Sequence, residues 1–314
     1  MSSRTTFFRE ISANKRGTFI LVFLMMSLLA AIAGGFVYFY EPDFWWVGSL
    51  GASVAVGIYF LLMKDSGAQW VLSLSGAREA TQEEDRMLRN VAEEIAIAAG
   101  IPMPKVYVIE DSAPNAFATG WDPQHAVICV TTGLLEKLNR DELQGVVAHE
   151  MSHIRNYDIR LMMTLALTVG IIVLLRDAFF RVGLRPRRRR NDSGANAIVM
   201  LIIVLLMVFA PLFAILIKMA ISRSREFLAD ATAAQLTRYP DALADALEKI
   251  AKDPEPLEAA NRATMHMYIV NPFKKVGFLG DTSLFSTHPP VEERIRRLRA
   301  MGYMGHKRVE EHTS

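Results

Sequence analysis

Two histidines four residues apart, with a glutamate beside the first, carry the strongest chemical signal in this 314-residue chain. They are His149, Glu150 and His153, in the stretch VVAHEMSHIRNYD, residues 146–158. On a helix, positions i and i+4 share a face, so both imidazoles can point at one spot. This is the spacing of H-E-x-x-H, in which two histidines hold zinc and the glutamate activates a bound water. The alternative is a chance match on a surface helix.

A catalytic zinc needs three protein ligands, and no further histidine lies beside the motif. The segment SREFLAD contains Glu226 and Asp230, again four residues apart and therefore on one helix face. Glu226 is the candidate third ligand. Asp230 is the candidate acceptor for the second N–H of a ligand histidine, which would set the tautomer of that ring. The alternative is a solvated pair of acids beside Arg223 and Arg225.

Long apolar stretches flank both segments. Hydrophobic residues make up 51% of the chain, which is high for a soluble protein. The apolar stretches cover residues 18–40, 43–63, 161–175 and 197–221. Because a bilayer core of about 30 Å takes about 20 helical residues, we expect about four transmembrane helices, with 161–175 the weakest. The first run is too long for a cleavable signal peptide, so the first two predict a membrane hairpin.

Basic residues predict the orientation of this hairpin. Four of them precede the first span and none lies in the turn, which places the N-terminus and the region after residue 64 in the cytoplasm. Those four are Arg4, Arg9, Lys15 and Arg16. Six arginines within residues 181–190 conflict with four crossings, because they would then lie outside. The alternative for the last two apolar segments is a hairpin that dips into the membrane.

The remaining sequence predicts a small mixed domain. Strands are expected at 104–110, 115–120 and 125–131 from their alternation. One helix is expected at 81–99, with Thr81 as its N-cap and Gly100 ending it. A second should contain the motif and be capped near Asn139. Three more are expected at 222–238, 241–252 and 290–301. The motif helix should run almost directly into the third apolar segment, with Asn156 and Asp158 capping it or facing solvent. The single cysteine, Cys129, should be a buried strand residue and excludes an internal disulfide or a cysteine-based zinc cluster.

The predicted fold class is therefore α+β: an integral membrane protein with about four transmembrane helices and a mainly helical, zincin-type protease domain with a small β-sheet. The chain should begin with a cytoplasmic segment 1–17 and a membrane hairpin 18–63. The protease domain is then expected in two stretches, 64–160 with the motif helix and 222–314 with the third ligand. Between them lies a second hairpin 161–221 with an arginine-rich loop 181–196. The net charge of +2 is too small to indicate nucleic-acid binding.

Four segments in order along the chain resemble the signature segments of the HtpX-type membrane metalloproteases, which are bacterial heat-shock proteases related to the CAAX prenyl protease. These segments are NAFATG, AHEMSHIRNYD, SRSREFLAD and FSTHPPVEERI. The resemblance implies one zinc ion per chain, held by His149, His153 and Glu226, with Glu150 as general base. It also implies a multi-pass protein of the bacterial cytoplasmic membrane, with its site facing the cytoplasm and acting on damaged membrane proteins.

The same resemblance assigns two further segments. It implies that Asn115, Ala116, Phe117 and Ala118 form an edge strand with which a substrate pairs, the alternative being an ordinary edge strand or turn. His288 would donate a hydrogen bond to the developing oxyanion, or it would hold the Pro289–Pro290 turn against the active-site helix. The competing functions are a CAAX-type prenyl-peptide protease, a transporter, and a non-cleaving membrane scaffold or chaperone. The sequence does not indicate the natural substrate, the oligomeric state or the regulation.

Overall fold

The computed structural model describes residues 2–40, 42–83, 85–168, 223–259, 267–270 and 289–313. Several predicted features lie outside these ranges. They are the end of the third apolar segment, the arginine-rich loop 181–196, the fourth segment 197–221 and His288.

Two long apolar helices open the chain. Helix α1 covers Ser2–Tyr40, a 3-10 turn covers Pro42–Phe44, and helix α2 covers Trp45–Leu74. Within the described residues, both have the length and hydropathy needed to cross a membrane, over Ser12–Ala31 and Trp45–Leu74. The two helices pack closely where Ser49 Oγ donates to the carbonyl of Ala30 at 3.0 Å. The outward faces expose large apolar side chains such as Phe19 and Leu61, as a lipid-facing surface would.

A mixed four-stranded sheet follows the hairpin. Its strands are β1 (Arg78–Glu79), β2 (Lys105–Ile109), β3 (Ala116–Thr119) and β4 (Val127–Thr131). The spatial order is β1-β2-β4-β3, with β2 and β4 parallel and the other pairs antiparallel. The three predicted strands are confirmed, and β3 lies at an edge. Strand β1 was not predicted because two residues are too few to show alternation.

The sheet has apolar residues on both faces. One face packs through Val108 and Ile128 against helices α3 (Arg86–Ala99) and α5 (Arg140–Arg155). The other face presents Phe117 and the buried Cys129 to Val71 and Leu72, in the last turn of α2. Helix α2 therefore runs without a linker from the apolar hairpin onto the sheet.

Helix α3 begins at Arg86, so the prediction of a helix capped by Thr81 is wrong at its start. The buried Asp85 carboxylate accepts from the backbone N–H of Thr81 at 2.9 Å and from Arg78 at 2.8 Å. These bonds hold Thr81 and Asp85 outside the helix. The helix ends at Gly100 as predicted, with the left-handed φ of 67° that glycine tolerates best.

The other helices are α4 (Thr132–Lys137), α6 (residues 158–168), α7 (Arg223–Thr237), α8 (Pro240–Lys252) and α9 (Val291–Thr313). Helix α9 is much longer than predicted. Helix α5 runs almost directly into the third apolar segment, as predicted, with only a turn at Asn156 and Tyr157 between α5 and α6. Tyr157 has a φ of 61°, which redirects the chain there.

Candidate metal centre

Helix α5 is fixed at its start by a reciprocal cap. The Asn139 side chain accepts from the Glu142 N–H at 3.0 Å, and the Glu142 carboxylate accepts from the Asn139 N–H at 2.8 Å. One turn further on, Gly145 faces the backbone of Leu243 in α8, where a side chain would meet that backbone. These two features set the position of α5, on which His149, Glu150 and His153 are all buried.

Three donor side chains converge between α5 and α7. The ligand atoms of His149, His153 and Glu226 all lie within 4.8 Å of one another. The two Nε2 atoms are 3.2 Å apart, and each lies 3.7 Å from a carboxylate oxygen of Glu226. Two ligands about 2.1 Å from a tetrahedral zinc would lie roughly 3.4 Å apart. The donor set and its spacing therefore fit zinc, and the structure brings together the three residues predicted as ligands.

Each histidine has a carboxylate on its other ring nitrogen. Asp230 Oδ1 lies 3.0 Å from His149 Nδ1, which is the contact predicted for Asp230. Asp158 Oδ2 lies 2.9 Å from His153 Nδ1, a partner that the sequence patterns did not reveal. Asn156 caps the C-terminal end of α5 as predicted, with its backbone N–H bonded to the carbonyl of Ser152 at 3.0 Å. Asp158 is buried beyond the cap, so the prediction that it caps α5 or faces solvent is wrong. The turn at Tyr157 folds the chain back and brings Asp158 to His153. With Nδ1 bonded in this way, Nε2 is the nitrogen of each ring that can bind a metal.

Arg294 completes the centre and was also missed. Only 1% of its surface is exposed, and its guanidinium donates to both oxygens of Asp230 at 2.9 and 2.7 Å and to the carbonyl of Ile269 at 3.1 Å. A signal for its burial is present in the sequence. Val291, Arg294, Ile295 and Leu298 have i, i+3, i+4, i+7 spacing, so the arginine lies on the apolar stripe of α9.

The surroundings of the two ligand histidines shift their pKa values in opposite directions. Burial, together with the positive charge of Arg294, lowers the pKa of His149 to about 4. Burial also disfavours charge on His153, but its bond to Asp158 and the carboxylates of Glu226 and Asp158 outweigh this and raise its pKa to about 9. In the metal-free protein at neutral pH, His149 is therefore neutral and His153 carries a proton.

The pKa values of Glu150 and Asp230, the two acids next to the ligands, are also shifted in opposite directions. Burial raises the pKa of Glu150 to about 7, with His153 opposing the shift and Glu226 adding to it. Burial would raise the pKa of Asp230 as well, but the charge and hydrogen bonds of Arg294 and the bond to His149 lower it to about 2. Glu150 is thus poised to exchange a proton near neutral pH, whereas Asp230 stays ionised.

The predicted substrate strand lies next to this centre. The strand begins at Ala116, and the side chains of Asn115 to Ala118 are buried. Near Ala116 the outer edge is covered, because the Ile269 N–H donates to the Ala116 carbonyl at 2.9 Å and Asn115 Nδ2 donates to the Val270 carbonyl at 3.1 Å. Further along, the backbone N–H of Ala118 bonds to Glu150. The Ala116 end of β3 is therefore already paired with residues 269–270. Pairing of a substrate strand with the Ala118 end of β3 stays a prediction.

The comparisons with known proteins agree with this geometry. The model of peptidase family M48 matches residues 82–302. The chain belongs to this family. A protease HtpX homologue from Dictyoglomus thermophilum is 49% identical over 302 residues, covering 95% of each chain. Another from Caldanaerobacter subterraneus subsp. tengcongensis is 46% identical over 308 residues, covering 96% of this chain and 99% of its own. The resemblance to HtpX-type proteases is confirmed, and the chain is an M48 zinc metallopeptidase.

The fold has a solved counterpart. The crystal structure of S. mikatae Ste24p superposes with a TM-score of 0.50 at 20% sequence identity. The match covers 88% of this chain and 62% of that one, which is less than two thirds of its length. At this identity the likeness concerns the fold alone. It supports a mainly helical architecture with a small mixed sheet and two long apolar helices.

Proposed function

We propose that this chain is a zinc-dependent endopeptidase of the bacterial cytoplasmic membrane, which hydrolyses peptide bonds of misfolded or damaged membrane proteins at the cytoplasmic surface. The observation that carries the proposal is the buried set of His149, His153 and Glu226 beside Glu150, in a domain that joins apolar helices without a linker. One zinc ion per chain fits this set.

The chemistry follows from the neighbours of Glu150. Zinc held by His149, His153 and Glu226 would lower the pKa of a water and polarise the scissile carbonyl. Glu150, whose pKa is about 7 when metal-free, accepts the proton of that water and passes it to the leaving amine. The carbonyl of Ala118, towards the far end of β3, offers a backbone acceptor to an extended substrate. Pairing through backbone hydrogen bonds does not depend on the substrate's side chains, so we expect the enzyme to accept many substrate sequences.

The position of the domain favours membrane substrates. Helix α2 continues from Met63, the last residue of the second predicted apolar stretch, to Val71, which packs on the sheet eight residues later. Eight residues are about 12 Å of helix, so the sheet and the adjacent centre lie close to the surface that the hairpin would reach. Loops and unfolded ends of membrane proteins would meet the site before bulk soluble chains. The third and fourth spans, at 161–175 and 197–221, belong to this proposal, and nucleic acid has no part in it.

Cleavage of an unfolded membrane protein by the detergent-purified chain tests the proposal. Activity should vanish with a zinc chelator and return with stoichiometric zinc. The matched control is Glu150→Gln, which also detects self-cleavage during purification. Cleavage that persists in the chelator, or in the Glu150→Gln protein, would contradict a zinc peptidase and leave a contaminating protease as the explanation. Zinc binding without cleavage of any unfolded substrate would favour the scaffold or chaperone.

Membrane orientation needs a separate experiment. Asp43 lies in the exposed hairpin turn, and Gln124 is exposed on the catalytic domain. Single cysteines at these two positions, in a chain with Cys129 replaced by alanine, should react with an impermeant thiol reagent from opposite sides of the cell membrane. We expect Gln124→Cys to react only from the cytoplasmic side. Labelling of both from the same side would rule out the crossing by α2.

A further inference from the structure

Asn14 lies just before the apolar stretch of α1 and contacts Asp158, the carboxylate that is bonded to the ligand His153. Its side chain is fully buried. Its amide nitrogen donates to Asp158 Oδ1 at 2.6 Å and to the carbonyl of Asn156 at 3.0 Å. The other oxygen of Asp158 lies 2.9 Å from Nδ1 of His153, whose Nε2 faces His149 and Glu226. A continuous chain of hydrogen bonds thus runs from the N-terminal helix to the metal centre.

We propose that Asn14 is a positioning residue for the zinc centre: acting through Asp158, it sets the orientation of His153, so that helix α1 contributes directly to the metallopeptidase site. This inference rests on the proposed zinc-peptidase function. Asn14 touches no reacting atom. It fixes the carboxylate of Asp158, which in turn orients the ligand His153.

The chemistry of an amide suits this task. A carboxylate with one anchored oxygen has its plane fixed, so its second oxygen presents a lone pair to His153 in one direction. An amide donates a hydrogen bond without adding a positive charge to that of Arg225, whose Nε lies 3.9 Å from the same oxygen of Asp158. Asp158 therefore remains an ionised acceptor, which strengthens its bond to the imidazole. The second bond, to the carbonyl of Asn156, anchors the turn in which α5 ends.

Packing along α1 explains how the amide is held in place. Gly17 lies against Leu161 of α6, and Leu21 clusters with Leu161 and Leu165 one turn further on. Met25 packs beside Met163 in the next cluster. At the other end, the Lys15 ammonium lies 4.6 Å from the centre of the Tyr157 ring. These contacts fix the register of α1 against α6, so a shift of α1 would move the Asn14 amide away from Asp158.

The test uses full-length protein in detergent, in the Glu150→Gln background so that self-cleavage cannot alter the sample. Asn14→Leu removes the donor at similar volume, and Asn14→Ala is the second variant should the first fail to fold. Thr18→Val is the matched control, because Thr18 is buried one turn along α1 and its hydroxyl donates to its own helix, at the carbonyl of Asn14. Zinc affinity is measured by competition with a chromophoric chelator, and the coordination by the visible spectrum of the cobalt-substituted protein.

We expect both Asn14 variants to weaken zinc binding about 10- to 100-fold and to change the cobalt spectrum, with Thr18→Val like the parent. In an Asp158→Asn background, Asn14→Leu should have little further effect, since the two residues act in series. Parental zinc affinity and cobalt spectrum in the Asn14 variants would overturn the proposal, as would equal losses with and without Asp158. Because these readouts need no turnover, a lack of protease activity would contradict only the proposed function.

Discussion

Arg294 and Asp230 form a buried, two-bonded ion pair that connects the last helix of the chain to the metal centre. The guanidinium donates to both carboxylate oxygens, at 2.9 and 2.7 Å, and Asp230 in turn lies 3.0 Å from Nδ1 of His149. Arg294 also lies 3.6 Å from Glu226. Three helices far apart in sequence, α5, α7 and α9, are thereby joined through one side chain, and the positive charge of Arg294 faces two carboxylates of the centre.

Replacing this arginine should damage both the fold and the metal site. Arg294→Gln leaves Asp230 buried without its counter-charge, which typically costs about 3–5 kcal/mol of unfolding free energy. Zinc affinity should fall as well, because His149 loses the support of a fixed Asp230. Arg296→Gln is the control, since Arg296 lies on the same helix with an exposed side chain. Thermal unfolding and zinc content measure the two effects, and equal behaviour of the two variants would contradict the role given to Arg294.

Removing the proposed base should separate chemistry from metal binding. Glu150→Gln is nearly isosteric and lies outside the ligand set, so zinc content and thermal stability should stay close to wild type. Peptidase activity should fall about 10²- to 10⁴-fold, because the amide cannot accept the proton of the attacking water. By contrast, His149→Ala and His153→Ala should lose the zinc itself. Near-normal turnover in Glu150→Gln would refute the assignment.

The two acids of α7 should differ in their effect on zinc. Glu226→Ala removes a ligand and should reduce zinc binding severely, whereas Asp230→Ala removes only the partner of a ligand and should weaken it about 10- to 100-fold. The control is Glu94→Ala, which deletes a surface glutamate paired with Arg140. Competition with a chelator gives all three affinities. Retention of full zinc binding by Glu226→Ala would show that the third ligand is another residue.

Zinc binding by the metal-free protein should release a proton from His153. Its pKa is raised from the ordinary value of 6.5 to about 9, so the ring is protonated at pH 7 and must lose that proton to bind metal. Zinc affinity should therefore rise about tenfold per pH unit from pH 7 to the pKa of His153 and level off above it. The stability that protonated His153 gives the metal-free protein should be complete below pH 6.5 and be lost as the pH rises through about 9.

Calorimetric titration with zinc in buffers of different ionisation enthalpy measures the released protons. The Glu150→Gln background is needed, because Glu150 also titrates near neutral pH in the metal-free protein. Asp158→Asn removes the negative charge that helps raise the pKa of His153, so it should release fewer protons at pH 7. A binding enthalpy that does not depend on the buffer would contradict this prediction.

Local patterns in the sequence were enough to predict much of this protein. The i, i+4 spacing of His149 and His153 sets their common face on any helix, and the caps at Asn139 and Gly100 depend only on nearby backbone groups. The strands follow from alternation, and the first two apolar helices from their length. Glu226 was predicted as the third ligand from its spacing to Asp230 together with the family resemblance. The resemblance was needed because the segment of Glu226 lies far along the chain from the histidine motif.

Other residues of the centre were decided only by tertiary structure. Asp158 reaches His153 because the positive φ of Tyr157 interrupts the helix, whereas the sequence alone led us to expect Asp158 at a cap or in solvent. Arg294 lies on the apolar stripe of its helix, but the partner that makes its burial favourable, Asp230, is 64 residues away in the chain. Asn14 meets Asp158 across 144 residues of chain. The spacing of His149 to His153, and of Glu226 to Asp230, is local, so the sequence specifies each pair. The contacts of Asp158, Arg294 and Asn14 depend on how the chain folds back on itself, which no short pattern encodes.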